Sequence, residues 1–277
     1  MTAPATRPLI EVGAAVAGPR NADTDPKSGL RYYTWQGVRY PSVTTIRRLA
    51  GIPHELHQWA INQVINRVLD EAPSIATRLG SGEPSQVALV RHYLREAATE
   101  QRDKAAALGI AVHAAAAEGK ALTEVGADIA PHLRQYLDWR EKSRVEILAS
   151  EFQVWNPVVG YAGTCDLLGR FPDGSIWVVD IKTGKGTYGE HALQLMAYLM
   201  GEFVGEDDQV DLSTTELLHD AKGIAVLHLG VDGWEFYSLD ASPETWNAYR
   251  GLLTFGVWMA AHGTIESVTL GSRKGAA

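Results

Sequence analysis

The segment from Gly163 to Lys182 leaves this chain little freedom. It reads Gly163-Thr164-Cys165-Asp166-Leu167-Leu168-Gly169-Arg170-Phe171, turns at Pro172-Asp173-Gly174, and returns as Ser175-Ile176-Trp177-Val178-Val179-Asp180-Ile181-Lys182. Proline presets φ and glycine accepts a reversed backbone, so Pro-Asp-Gly between two apolar runs is a turn. A β-hairpin centred on Asp173 sets Asp166 opposite Asp180. Directly opposed residues have Cβ atoms roughly 4.5–5.5 Å apart, and two carboxylates that close repel unless a cation stands between them. Lys182 follows Asp180 by two and shares its strand face, while Val179 and Ile181 point into a core. The run Val178 to Ile181 is nearly all apolar, as in a strand buried on both faces. An acid placed there needs a partner or a ligand. Two acids and an ammonium on one face suit a hard metal ion and a phosphate.

The flanking sequence supplies a mixed α/β core. Val145 to Trp155, Val158 to Phe171 and Ser175 to Thr183 read as a three-stranded meander, followed by a helix over Gly189 to Met200. Ile224 to Leu229 and Trp234 to Leu239 are further strands, and Pro243 to Ala261 is a last helix. Upstream, Tyr32 to Trp35 and Val38 to Tyr40 form a small hairpin, and Ser42 stands where it can cap the next helix. Leu56 to Leu69 has helical periodicity, Pro84 opens a long helix that Gly119 stops, and Pro131 to Lys142 is amphipathic. The expected organisation is a flexible arm over 1–30, a mostly helical lobe over 31–143 that carries His113, a core over 144–262, and a flexible tail over 263–277.

Composition narrows the class. The chain has 277 residues, 45% of them hydrophobic and 21% charged, as in an ordinary globular protein. No apolar run reaches the ~18 residues of a membrane span, and no basic-then-apolar leader opens the chain. The expectation is therefore a cytoplasmic protein without a membrane. The single cysteine, Cys165, excludes an internal disulfide and a four-cysteine metal site. The net charge of −8 is unevenly spread. Residues 201–220 hold Glu202, Glu206, Asp207, Asp208, Asp211, Glu216 and Asp220 with no Lys or Arg, and read as a solvated loop. Residues 31–48 hold Arg31, Arg39, Arg47 and Arg48 with no acid. Local field, rather than total charge, decides where a polyanion docks.

Further candidates lie outside the hairpin. His113 sits among Gly109, Ala111, Ala114, Ala115 and Ala116, and such small residues let a helix approach a sheet closely. Gln194 and Tyr198 are four apart and share a helix face, placed for contact with a substrate phosphate or with Lys182. Two other motifs fail. Gly184-Lys185 lacks the P-loop's first glycine, where Val179 stands, and its Ser or Thr, where Gly186 stands. His54 and His57 are three apart, not the four a zinc-protease helix requires.

In combination these elements resemble the PD-(D/E)XK nuclease superfamily. The branch they resemble most is that of the RecB-like exonucleases, with the CRISPR-associated adaptation nucleases and the mitochondrial genome maintenance exonuclease. The resemblance rests on His113, Gly163-Thr164-Cys165-Asp166, Asp180-Ile181-Lys182, Gln194 with Tyr198, and Pro41-Ser42-Val43-Thr44. It implies a restriction-endonuclease-like mixed sheet core with flanking helices, and a deoxyribonuclease. Asp166, Asp180, His113 and the Ile181 carbonyl would bind Mg2+ or Mn2+, with Glu151 as a supporting acid. Lys182 would act in catalysis with Asp166 and Asp180. Ser42, Thr44, Arg47, Arg48, Lys185, Gln194 and Tyr198 would contact DNA, single-stranded or with free ends. An iron–sulfur cluster held by four cysteines in several relatives is excluded here, since Cys165 stands alone. The expected activity is exonucleolytic, in recombination, repair or replication, of a phage or its host. The alternatives are a non-catalytic DNA-end-binding subunit and a structure-specific endonuclease on the same core.

Overall fold

The Pro172-Asp173-Gly174 turn closes as its chemistry requires. Gly174 takes φ +85°, and the Asp173 carboxylate accepts from the Ser175 amide at 2.9 Å. The computed structural model in which this is seen describes residues 22–26, 30–51, 54–184, 186 and 189–262. The turn joins β5 (Tyr161–Arg170) to β6 (Ile176–Lys182). Their pairing runs Leu167↔Val179, Leu168↔Val178, Gly169↔Trp177 and Arg170↔Ile176, the expected register.

Around this hairpin a seven-stranded mixed sheet forms. Its other strands are β4 (Glu146–Asn156), β7 (Phe203–Glu206), β8 (Gln209–Asp211), β9 (Ala221–Leu229) and β10 (Trp234–Ser238), in the order β10-β9-β6-β5-β4-β7-β8. Within it β6 and β9 pair in parallel, through a crossover that carries α6 (Glu190–Leu199) and α7 (Leu212–His219). One core cluster joins the sheet to α1 (Val43–Arg47), α6, α7 and α8 (Pro243–His262). A second joins it to the C-terminal part of α4 (Pro84–Ala117) and to α5 (Ala130–Ser143). This is the restriction-endonuclease-like arrangement of a mixed sheet between helical layers. A separate three-stranded sheet, β1 (Ala22–Thr24), β2 (Arg31–Trp35) and β3 (Val38–Pro41), leads into α1. The remaining helices, α2 (His54–Asp70) and α3 (Ala72–Gly80), pack on the N-terminal part of α4.

Helix α4 is continuous over 34 residues. It stops where Gly119 takes φ +66°, a conformation glycine adopts without a Cβ penalty.

Several local expectations change. Residues 201–220 are not a loop: they form β7, β8 and α7, with Asp207 and Asp208 both at positive φ in the hairpin turn. Asp211 caps α7 by accepting from the Thr214 amide at 3.0 Å, and Asp208 accepts from the Gln36 amide at 2.7 Å. These acids are spent on local geometry. Ser42 stands at the N-cap of α1, but its side chain caps nothing; its hydroxyl meets that of Thr44 at 2.8 Å instead. The expected flexible arm lies largely outside the described residues, although Ala22–Thr24 within it pair with β2. The tail over 263–277 also lies outside them.

Candidate metal centre

Three strands and one helix bring the acids together. The β4–β5 pairing runs Ser150↔Leu167 and Phe152↔Cys165, which sets Glu151 beside Asp166. Glu151 takes φ +51° within its strand, a conformation costing of order 1–3 kcal/mol for a non-glycine residue. The β5–β6 ladder ends one residue short of an Asp166–Asp180 pair. Past that point the Asp166 carboxylate accepts from the Ile181 amide at 2.7 Å.

Helix α4 supplies the imidazole. A Cβ at Gly109 would lie 3.4 Å from the Thr183 hydroxyl, so the helix passes close to the end of β6. One turn on, His113 Nε2 stands 2.9 Å from the Ile181 carbonyl oxygen. Its Nδ1 faces Glu151 and Asp166, each at 3.6 Å. His113, Glu151 and Asp166 each offer a ligand atom within 4.8 Å of the others. Glu151, expected in support, thus stands level with His113 and Asp166. The sequence placed Glu151 only in support, because the positive φ that aims it is a backbone property that strand periodicity does not carry.

Asp180 is not one of these three close ligand donors. It is 1% exposed, accepts from Gln194 Nε2 at 2.9 Å and is ion-paired to Lys182. Tyr198 lies behind, with its hydroxyl 3.4 Å from Gln194 Nε2. Gln194 and Tyr198 are 4% and 1% exposed. They meet Asp180 from within the core rather than a DNA-facing surface. Gly163 makes room for this: a Cβ there would lie 2.8 Å from Tyr198 Cε1.

Charge is out of balance at this point. Burial pushes Asp166 up to about 7, with the Asp180 charge adding to it against His113 and Lys182. Burial alone would lower His113, but the charge of Asp166 and the contact with Glu151 outweigh it and raise the ring to about 9. The ring thus lies between a carbonyl oxygen on one side and two carboxyl groups on the other. Cys165 is fully buried, and burial raises its thiol well above the usual value.

The basic segment lies beside the centre. Ser42 bridges to Ala162 of β5 and is 1% exposed, so its hydroxyl is closed to a ligand. Thr44 accepts from Arg31 Nη2 at 2.7 Å. Arg47 reaches Glu190 at 3.4 Å. Arg48 is held below its usual value by partial burial and by the charges of Arg31, Arg47 and Arg102. Lys185 lies outside the described residues. No helix among the described residues is long and apolar enough to cross a membrane.

A model of the PD-(D/E)XK nuclease superfamily matches residues 63–202, just over half of the chain. No curated protein matches. Among solved structures, one described as "Crystal structure of SSO0001" is 18% identical, with a TM-score of 0.30. The match covers 46% of this chain and 57% of that one, so the chain spans little more than half the length of that protein.

Proposed function

We propose that this chain, which belongs to the PD-(D/E)XK nuclease superfamily, is a metal-dependent DNA exonuclease of the RecB-like branch without an iron–sulfur cluster. The observation that carries the reading is the meeting of His113, Glu151 and Asp166 with the Lys182–Asp180–Gln194 chain at one end of β6.

The donors fit a divalent ion. His113, Asp166 and Glu151 would hold it, with Asp180 and the Ile181 carbonyl. Hard oxygen donors suit Mg2+ or Mn2+, and the imidazole favours Mn2+. The chemistry such an ion would supply there is polarisation of a scissile phosphate and a lowered pKa for bound water. The protein's own groups do the rest. The Ile181 amide fixes the Asp166 carboxylate. Gln194 holds one oxygen of Asp180, while Lys182 engages the other. The Lys182 side chain is 26% exposed, so its ammonium can also reach a phosphate and stabilise the charge that develops there. Thr44, Arg31, Arg47 and Arg48 would bind DNA phosphates without reading sequence.

The test uses end-labelled linear and circular single strands with Mg2+ or Mn2+. Linear strands should be degraded from an end and circles spared. Cleavage of circles would favour the structure-specific endonuclease. Binding without cleavage in either metal would favour the non-catalytic end-binding subunit.

A further inference from the structure

Helix α4 is longer than the core needs, and its two faces differ in charge. At 100° per residue, Arg91, Arg95, Arg102, Gly109 and His113 fall within an arc of about 40°. The residues filling that arc and its margins are Val87, Ala88, Ala98, Ala105 and Ala106, with no acid. Arg91, Arg95 and Arg102 are exposed. The acids Glu96 and Glu100 lie toward the other side, and Asp103 on the flank beside Arg102.

That other side is occupied. Arg67 of α2 donates to the Tyr93 carbonyl at 2.8 Å and to Glu100 at 2.6 Å. A cavity of about 480 Å³ between α3 and α4, lined by Glu71, Arg78, His92, Glu96 and Glu100 among others, lies on that side. The arginine arc therefore faces away from α2 and α3. At its C-terminal end the same arc reaches the metal centre, with Gly109 against Thr183 and His113 against Ile181.

We propose that Arg91, Arg95 and Arg102 form a phosphate-binding rail that guides a nucleic-acid backbone along α4 into the metal centre. The proposal rests on the nuclease reading for its destination, and adds the path. From Arg91 to His113 the helix rises about 33 Å. The contact of Arg102 with its neighbour Asp103, 67% and 62% exposed, is weak enough to yield to a phosphate.

The experiment compares the full chain with the Arg91→Ala/Arg95→Ala/Arg102→Ala variant. Binding of a 20-nucleotide single strand is measured across a salt series, with Ca2+ present to suppress cleavage. Three lost phosphate contacts should make the log–log salt slope shallower by about 2, and the KM for cleaving the same strand in Mn2+ should rise. A charge-matched control, Arg78→Ala/Arg134→Ala/Arg250→Ala, should keep the wild-type slope. An unchanged slope in the first variant, or an equal change in the control, overturns the rail. A wild-type chain that binds with the steep slope but cleaves nothing would leave the rail standing and remove the nuclease reading instead.

Discussion

Asp180 is held by two side chains of opposite character, and that division of labour can be tested. Lys182 neutralises it and Gln194 orients it from the core. Asp180→Ala and Lys182→Ala should each abolish cleavage while circular dichroism stays that of the folded protein. Near wild-type turnover in either would remove that residue from the chemistry. Gln194→Leu should keep strand affinity and lower kcat on the order of 10- to 100-fold, since groups that orient a ligand typically act at that scale. A rise in KM with kcat intact would instead make Gln194 a substrate contact. His113→Ala should raise the Mn2+ concentration needed for half-maximal cleavage by about tenfold or more, with little effect on DNA binding. Unfolding without a change in metal requirement would assign His113 to the core.

Two glycines show how closely the elements approach. Gly163 of β5 leaves no room for a methyl group: its Cβ would lie 2.8 Å from Tyr198 and 3.1 Å from Val43. Gly163→Ala should therefore destabilise by about 1–3 kcal/mol through overpacking, and lower cleavage by pushing α6 and Gln194 off Asp180. Gly109 of α4 lies within a helix, and its Cβ would meet only the Thr183 hydroxyl at 3.4 Å. Gly109→Ala should be neutral or stabilising by up to about 1 kcal/mol, the difference in helix propensity. Urea unfolding of both variants checks the contrast. Equal losses would mean that the α4–β6 approach is as tight as that of β5 and α6.

At the scale of the whole molecule, stability should depend on pH through His191. This ring is 5% exposed and is lowered to about 4, first by burial and then by the charge of Lys182. An unfolded histidine titrates near 6.5. Between these values the unfolded chain binds the extra proton. The stabilisation from neutral His191 is thus complete above about pH 6.5 and lost as pH falls toward 4. Its full size is at most about 3 kcal/mol. Wild type should lose more unfolding free energy between pH 7.5 and 5 than His191→Gln, and parallel pH profiles would refute the assignment. The basic segment acts at the same scale. Replacing Arg47 and Arg48 together with alanine should flatten the single-strand salt slope by about 1.4. An unchanged slope would place the track elsewhere on the surface.

What the sequence determined by itself is local and periodic. The Pro172-Asp173-Gly174 turn and the strand period of two fixed the β5–β6 register, because a one-residue slip would turn every apolar side chain out of the core. The helical run to Gly119 and the meander were legible for the same reason. Tertiary structure decided which way each polar group faces. Gln194 and Tyr198 turn inward to Asp180 because α6 packs on the sheet through the face that carries them. Ser42 is buried because α1 docks beside β5. The acids of 201–220 become edge strands and a cap because β4 offers them an open partner. Glu151 joins Asp166 through a backbone conformation at one residue, and the arginine arc of α4 stays exposed because α2 and α3 cover the opposite face. Each of these outcomes depends on contacts between segments far apart in the chain, and local periodicity carries no information about such contacts.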